Sequence, residues 1–314
     1  MAVDYLQKIL TAKVYDVAIE SPLDLATSLS HRLGNRILLK REDQQPVFSF
    51  KLRGAYNKMA HLSATECARG VIAASAGNHA QGVALAAQKL GCGATIVMPV
   101  TTPHIKITAV ESRGAKVVLH GDSYSDAYAH AMLLQKRSRA TFVHPYDDPD
   151  VIAGQGTLAV ELLPLRPDVV LVPIGGGGLA AGTALVLKAF GIRVIGVQVE
   201  GADAMARMLR GKALDSSSRS TIADGLLVRQ PGSIALDVCH DLVDDIVVLS
   251  EGEVRRAVVD LFANDGIIAE GAGAATVAVL PRIAGGRKVA VISGGNIDGA
   301  LLDDLLCQRH PART

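Results

Sequence analysis

The strongest constraint on the fold of this chain is an alternation that starts near residue 70, where short β-branched apolar runs are separated by Ala-rich stretches of helical length. The runs are VIAA (71–74), TIVMP (95–99), KVVLH (116–120), TFVHP (141–145), VVLVPI (169–174), RVIGVQVE (193–200), IVVLS (246–250) and KVAVIS (288–293). Most are apolar at every position, which predicts strands buried on both faces of a parallel sheet. The stretches 80–90, 103–113, 124–137, 150–163, 179–190, 251–264 and 271–284 predict crossover helices. Pro103 suits a first turn, and Gly91, Gly114, Gly191 and Gly266 suit helix ends. The first 63 residues are less regular, with RILLK (36–40) as a strand, and the polar LDSSSRSTIADG (214–225) predicts a loop.

At 314 residues, with 49% apolar and 20% charged residues, the chain can bury a sizeable core as one large α/β domain or two lobes. Thirty-two Lys and Arg against thirty-one Asp and Glu, with no basic run, argue against a nucleic-acid or membrane-surface partner and for a small molecule. No uncharged apolar run approaches the roughly 18 residues of a membrane span, and the N-terminus lacks signal-peptide features, so a cytoplasmic location is expected. Cys67, Cys92, Cys239 and Cys307 form no CxxC pair, which predicts neither a zinc site nor a disulfide and fits a reducing compartment.

Ligands of such sheets sit beyond the carboxyl ends of the strands, and three loops there carry chemistry. GGGGLAAG (175–182) leads from a strand into a helix; bare backbone and unpaired N–H groups at the helix start suit a phosphate. Gly175, Gly177 and Ala180 also satisfy G-x-G-x-x-A, with Glu200 near the place of a ribose-binding acid, so an NAD-dependent oxidoreductase is a rival reading. SAGNH (75–79) offers a hydroxyl, an amide and successive N–H groups for a carboxylate or a carbonyl or phenolic oxygen, or it is a plain helix cap. SGGN (293–296) places Ser293 at a strand end.

Upstream, Lys51 lies between Phe50 and Leu52. Apolar surroundings lower a lysine's pKa, and a neutral amine can form a Schiff base with a carbonyl. With Lys40, Arg41, Arg53 and Lys58 nearby, the alternative is a solvated basic face. Lys51 with a preceding aromatic, a phosphate loop, Asn78 and Ser293 together make up the parts needed to hold pyridoxal phosphate.

SFKLRGAYNKM (49–59), SAGNHAQGVA (75–84), DDPDVIAGQGT (147–157), PIGGGGLAAG (173–182), LVDDIV (242–247) and SGGNID (293–298) occur in this order. Together they resemble the threonine dehydratase (threonine ammonia-lyase) branch of the fold type II pyridoxal-phosphate enzymes, which includes serine dehydratases and serine racemase; the resemblance runs from about residue 15 to about residue 300. It implies a tryptophan synthase β-like α/β fold of two lobes, each with a mostly parallel sheet flanked by helices, in which 64–146 is a small domain inserted between 1–63 and 147–314.

Carried over by position, the resemblance implies Lys51 as the Schiff-base lysine and proton carrier, Phe50 beside the cofactor ring and Asn78 on the cofactor hydroxyl. Gly175, Gly176, Gly177, Gly178 and Leu179 would hold the phosphate, Ser293 would face the pyridine nitrogen, and Ser75, Ala76, Gly77, Asn78 and His79 would grip the substrate carboxylate. The implied activity is α,β-elimination of threonine to 2-oxobutanoate and ammonia, and of serine to pyruvate. Serine racemase and 3-hydroxyaspartate dehydratase are the alternatives within the family. Racemases of this kind carry a serine where Ala76 stands, so elimination is expected over racemisation. The chain stops soon after SGGN, where biosynthetic relatives carry a regulatory domain; a short catabolic-like form without isoleucine feedback, assembled as a homodimer or homotetramer, is expected. Glu200 and Asp203 are read as surface carboxylates, and no metal site is assigned.

Overall fold

The computed structural model describes residues 4–214 and 220–309, so 215–219 of the expected polar loop lie outside the described residues. Ten strands form two sheets: β1 (Leu23–Leu25), β2 (Arg36–Arg41), β3 (Val71–Ala74), β4 (Ala94–Met98), β5 (Lys116–Leu119), β6 (Thr141–Phe142), β7 (Val169–Pro173), β8 (Arg193–Val199), β9 (Asp245–Leu249) and β10 (Arg287–Ile292). The larger sheet runs β1-β2-β10-β7-β8-β9 and the smaller β5-β4-β3-β6. Every pairing is parallel except that of the short edge strand β1 with β2. β3 and β7 are buried at every position, as their all-apolar composition requires.

Strand order reverses once in each sheet. From β7 the chain proceeds outward through β8 and β9, while β10 lies on the other side of β7; from β3 it proceeds through β4 and β5, while β6 lies on the other side. Loops that leave adjacent strands in opposite directions open a crevice at the carboxyl ends. The glycine loop, Ser293 and SAGNH follow β7, β10 and β3 respectively.

Helices that carry the motifs meet backbone to backbone. A Cβ on Gly154 would lie 2.6 Å from Arg53 O, and one on Gly182 would lie 2.7 Å from Gly156 N. Helix Pro149–Val160 is thereby clamped between helices Lys51–Met59 and Gly178–Leu187, fixing Lys51 relative to the glycine loop. Asp148 caps the middle helix, and Asp147 accepts from the N–H groups of Ser233 and Ile234, at the start of helix Ser233–Leu242.

Several expectations are corrected. The alternative of a solvated basic face around Lys51 fails as well: Arg53, fully buried, donates to Glu42 and Glu161, and buried Lys40 pairs with Glu161. Arg41 pairs with Asp24 and Asp43, and Lys58 with Asp148 and Asp150. The expected strand 141–145 pairs only over Thr141–Phe142, and Pro103 precedes helix His104–Glu111 instead of joining its first turn. The irregular N-terminal region contains helices Tyr5–Leu10, Thr27–Leu33 and Lys51–Met59.

The cysteine reading is also overturned. Cys67 and Cys92 form a disulfide with Cα atoms 5.2 Å apart. β3 pairs in register with β4, and Val71 N donates to Gly93 O, so the segments preceding the two strands are brought together; 25 residues of separation concealed this in the sequence. Cysteine usage therefore no longer supports a reducing compartment. Among the described residues no helix is long and apolar enough to cross a membrane.

Candidate active site

The strand ends of both sheets face one cavity of about 1340 Å³, lined among others by Lys51, Asn78, Gly176, Glu270 and Ser293. Lys51 opens helix Lys51–Met59, and its position is set from the strand beside it: Phe50 N donates to Ser293 O at 3.2 Å, Ser49 bridges Gly294, and Gly295 N donates to Phe48 O. Lys51 Nζ donates to Pro145 O at 2.7 Å and lies 5.3 Å from the centre of the Phe50 ring. Burial lowers the lysine to about 8, against the opposing pull of the Glu270 carboxylate. The amine is thus within reach of its neutral form near physiological pH.

Asn78 begins helix Asn78–Leu90 at the mouth of β3. Its carboxamide oxygen accepts from Asn296 Nδ2 at 2.7 Å, Asn296 is itself held by Val47 O at 2.9 Å, and Asn78 Nδ2 donates to Glu270 Oε1 at 2.7 Å. One Nδ2 hydrogen remains for the cavity. Ser293 is buried at the end of β10, and among the described residues its hydroxyl makes no hydrogen bond with the protein.

Between β7 and helix Gly178–Leu187 the chain turns through Gly177, whose φ of +98° is open to glycine and strained for other residues. Among the described residues no side chain caps that helix, so its first N–H groups and positive dipole end are available to a ligand. Tyr146 covers the turn: a Cβ on Gly176 would collide with its ring, and one on Gly178 would lie 2.7 Å from its carbonyl oxygen.

The family described as "Pyridoxal-phosphate dependent enzyme" matches residues 15–294 of the sequence. The chain belongs to the pyridoxal-phosphate dependent enzymes. It is 50% identical over 312 residues to the L-threonine dehydratase biosynthetic IlvA of Burkholderia multivorans, covering 94% of this chain and 61% of that protein. It therefore spans about three fifths of that relative's length. Among solved structures, the processed form of threonine deaminase isoform 2 from Solanum lycopersicum superposes with a TM-score of 0.92 at 44% identity, covering 96% of this chain and 86% of that one. Maize serine racemase superposes with a TM-score of 0.89 at 30% identity, covering 98% of both chains.

The cavity of this pyridoxal-phosphate enzyme fits its cofactor's groups: an uncapped helix start for a phosphate, a half-free amide for a hydroxyl, an unpartnered serine hydroxyl for a ring nitrogen and a lysine of lowered pKa for an aldehyde. Ser75 Oγ accepts from Gly77 N at 3.2 Å, shaping the turn, and Ala76 lines the cavity with its methyl group. His79 contributes differently. Its Nε2 donates to Val143 O at 2.8 Å, and burial followed by the nearby Lys51 charge lowers it to about 3, leaving a neutral ring tied to the small sheet.

The dinucleotide reading loses its acid, because Glu200 is exposed and does not line the cavity. Asp203 pairs with Arg207 one helical turn on. Sequence reasoning missed Glu270, Asn296 and Tyr146. Glu270 was visible only as an acid ahead of the Ala-rich stretch at 271, a pattern that normally marks a helix start.

Proposed function

We propose that this chain catalyses the dehydration and deamination of L-threonine to 2-oxobutanoate and ammonia, with L-serine to pyruvate as a second reaction. The observation that carries this is the amine of Lys51, lowered to about 8 by burial, in the same cavity as Asn78, the glycine loop and Ser293. Likeness to a threonine dehydratase and a threonine deaminase supports threonine as the substrate.

Bound pyridoxal phosphate supplies an aldehyde that condenses with amines and a ring that withdraws electrons from Cα. With cofactor and substrate bound, Lys51 in its neutral form would take the Cα proton. The N–H groups from Gly175 to Leu179 hold the phosphate, and Phe50 packs at the ring. Asn78 donates its remaining hydrogen to the cofactor hydroxyl. Ser293 would give the ring nitrogen an uncharged partner, an arrangement that suits loss of the β-hydroxyl. The turn from Ser75 to His79 receives the substrate carboxylate, His79 through its backbone. The Ala76 methyl has no proton to exchange, which supports elimination over racemisation although a serine racemase shares the fold.

The proposal includes a small domain at 64–146 inserted between 1–63 and 147–314, assembly as a homodimer or homotetramer, and a cytoplasmic setting. Release of 2-oxo acid from threonine, serine and 3-hydroxyaspartate tests the activity. Threonine is expected to give the highest kcat/KM, with Lys51→Ala inactive. Turnover of 3-hydroxyaspartate alone, or serine racemisation without 2-oxo acid, would overturn the assignment.

A further inference from the structure

Glu270 stands where a helix cap belongs, directly before helix Gly271–Ala278, yet its side chain makes no capping hydrogen bond to that helix. It is turned into the cavity, 6% exposed, and accepts from Asn78 Nδ2. The surrounding backbone makes room for this pair. A Cβ on Gly294 would lie 2.5 Å from Glu270 Oε1 and 3.2 Å from Asn78 Nδ2, and Glu270 N donates to Gly294 O at 3.1 Å. The other end of the Asn78 amide is held by Asn296. A carboxamide fixed at its oxygen and at one hydrogen has a single direction left for the second hydrogen.

We propose that Glu270 is the positioning residue for Asn78, orienting its carboxamide so that the free Nδ2 hydrogen is directed at the cofactor hydroxyl before the cofactor arrives. This rests on the reading of Asn78 as the partner of that hydroxyl. Three charged groups face the carboxyl from other elements: Asp224 from the short turn Asp224–Leu226, Lys106 from helix His104–Glu111, and Lys51. Burial, with Asp224 adding, raises Glu270 to about 7 against the pull of Asn78, Lys106 and Lys51. Lys106 also pairs with Asp224 at 3.3 Å, so the two largely offset each other. The carboxyl changes charge close to neutral pH. Below that point it is a weaker acceptor and the amide is held less firmly.

The test is cofactor retention and the visible absorption band of the holoenzyme, followed from pH 6 to 8, in wild type, Glu270→Gln, Glu270→Ala and Asn78→Ala. A Gln keeps an acceptor for Asn78 and cannot ionise. Glu270→Gln, a neutral acceptor, is expected to retain cofactor between wild type and Glu270→Ala and to lose the change in the band centred near pH 7. Glu270→Ala is expected to weaken retention roughly tenfold, the worth of one charge-assisted hydrogen bond. It should also shift the band in the same direction as Asn78→Ala. Wild-type retention and band in Glu270→Ala, beside an altered Asn78→Ala, would overturn the positioning role and leave the reading of Asn78 standing. An unaltered Asn78→Ala would overturn both. If Glu270→Ala does not fold, Glu270→Leu, which also lacks an acceptor, takes its place, and wild-type retention and band in that variant overturn the role.

Discussion

Among the described residues, Lys51 is distinguished from the other basic residues near it by the absence of a salt bridge. Arg53, Lys40 and Lys58 each have carboxylate partners, whereas Lys51 has a carbonyl oxygen and a ring. Uptake of pyridoxal phosphate by the apoprotein requires the neutral amine, so its rate should rise with pH and level off above about 8. A rate still climbing toward the ordinary lysine value of 10.5 would contradict the buried setting. Lys51, Asn78 and Ser293 were legible because each sits inside one of the ordered motifs that carry the family resemblance. Glu270 was not, since its environment is made by Asn78, 192 positions away. The side chain of His79 was legible as a member of its loop but not in its direction, which Val143 on another segment decides.

Among the elements, the centres of the sheets could be read because strands such as β3 and β7 are buried at every position and therefore written in apolar residues, whereas edge strands such as β5 are only partly covered. Helix Lys51–Met59 escaped the same reading. Its buried positions include Arg53 and Asn57, which tertiary partners satisfy, so its polarity resembled that of a surface segment. The glycines of DDPDVIAGQGT carried a meaning that only packing reveals: they let three helices touch. Gly154→Ala should push helix Pro149–Val160 away from Arg53 O and destabilise the chain by about 1–3 kcal/mol. A lowered denaturant midpoint at unchanged slope would show this, and a wild-type midpoint would refute the close contact.

Over the whole molecule, two sheets with one reversal of strand order each bring their loops to a common cavity. The core of the smaller sheet also takes in Ala55, Tyr56 and Met59, so the helix that begins with Lys51 packs with both sheets' surroundings. Cys67–Cys92 illustrates what sequence withholds at this scale, because the pairing follows from the register of β3 with β4 and from nothing local. The central claim is that Lys51 in this cavity carries the cofactor. Borohydride treatment of the holoenzyme, followed by proteolysis and mass analysis, tests it most directly. The account predicts a pyridoxyl group on the peptide containing Lys51 and none in Lys51→Ala; modification of another lysine, or of none, would contradict it.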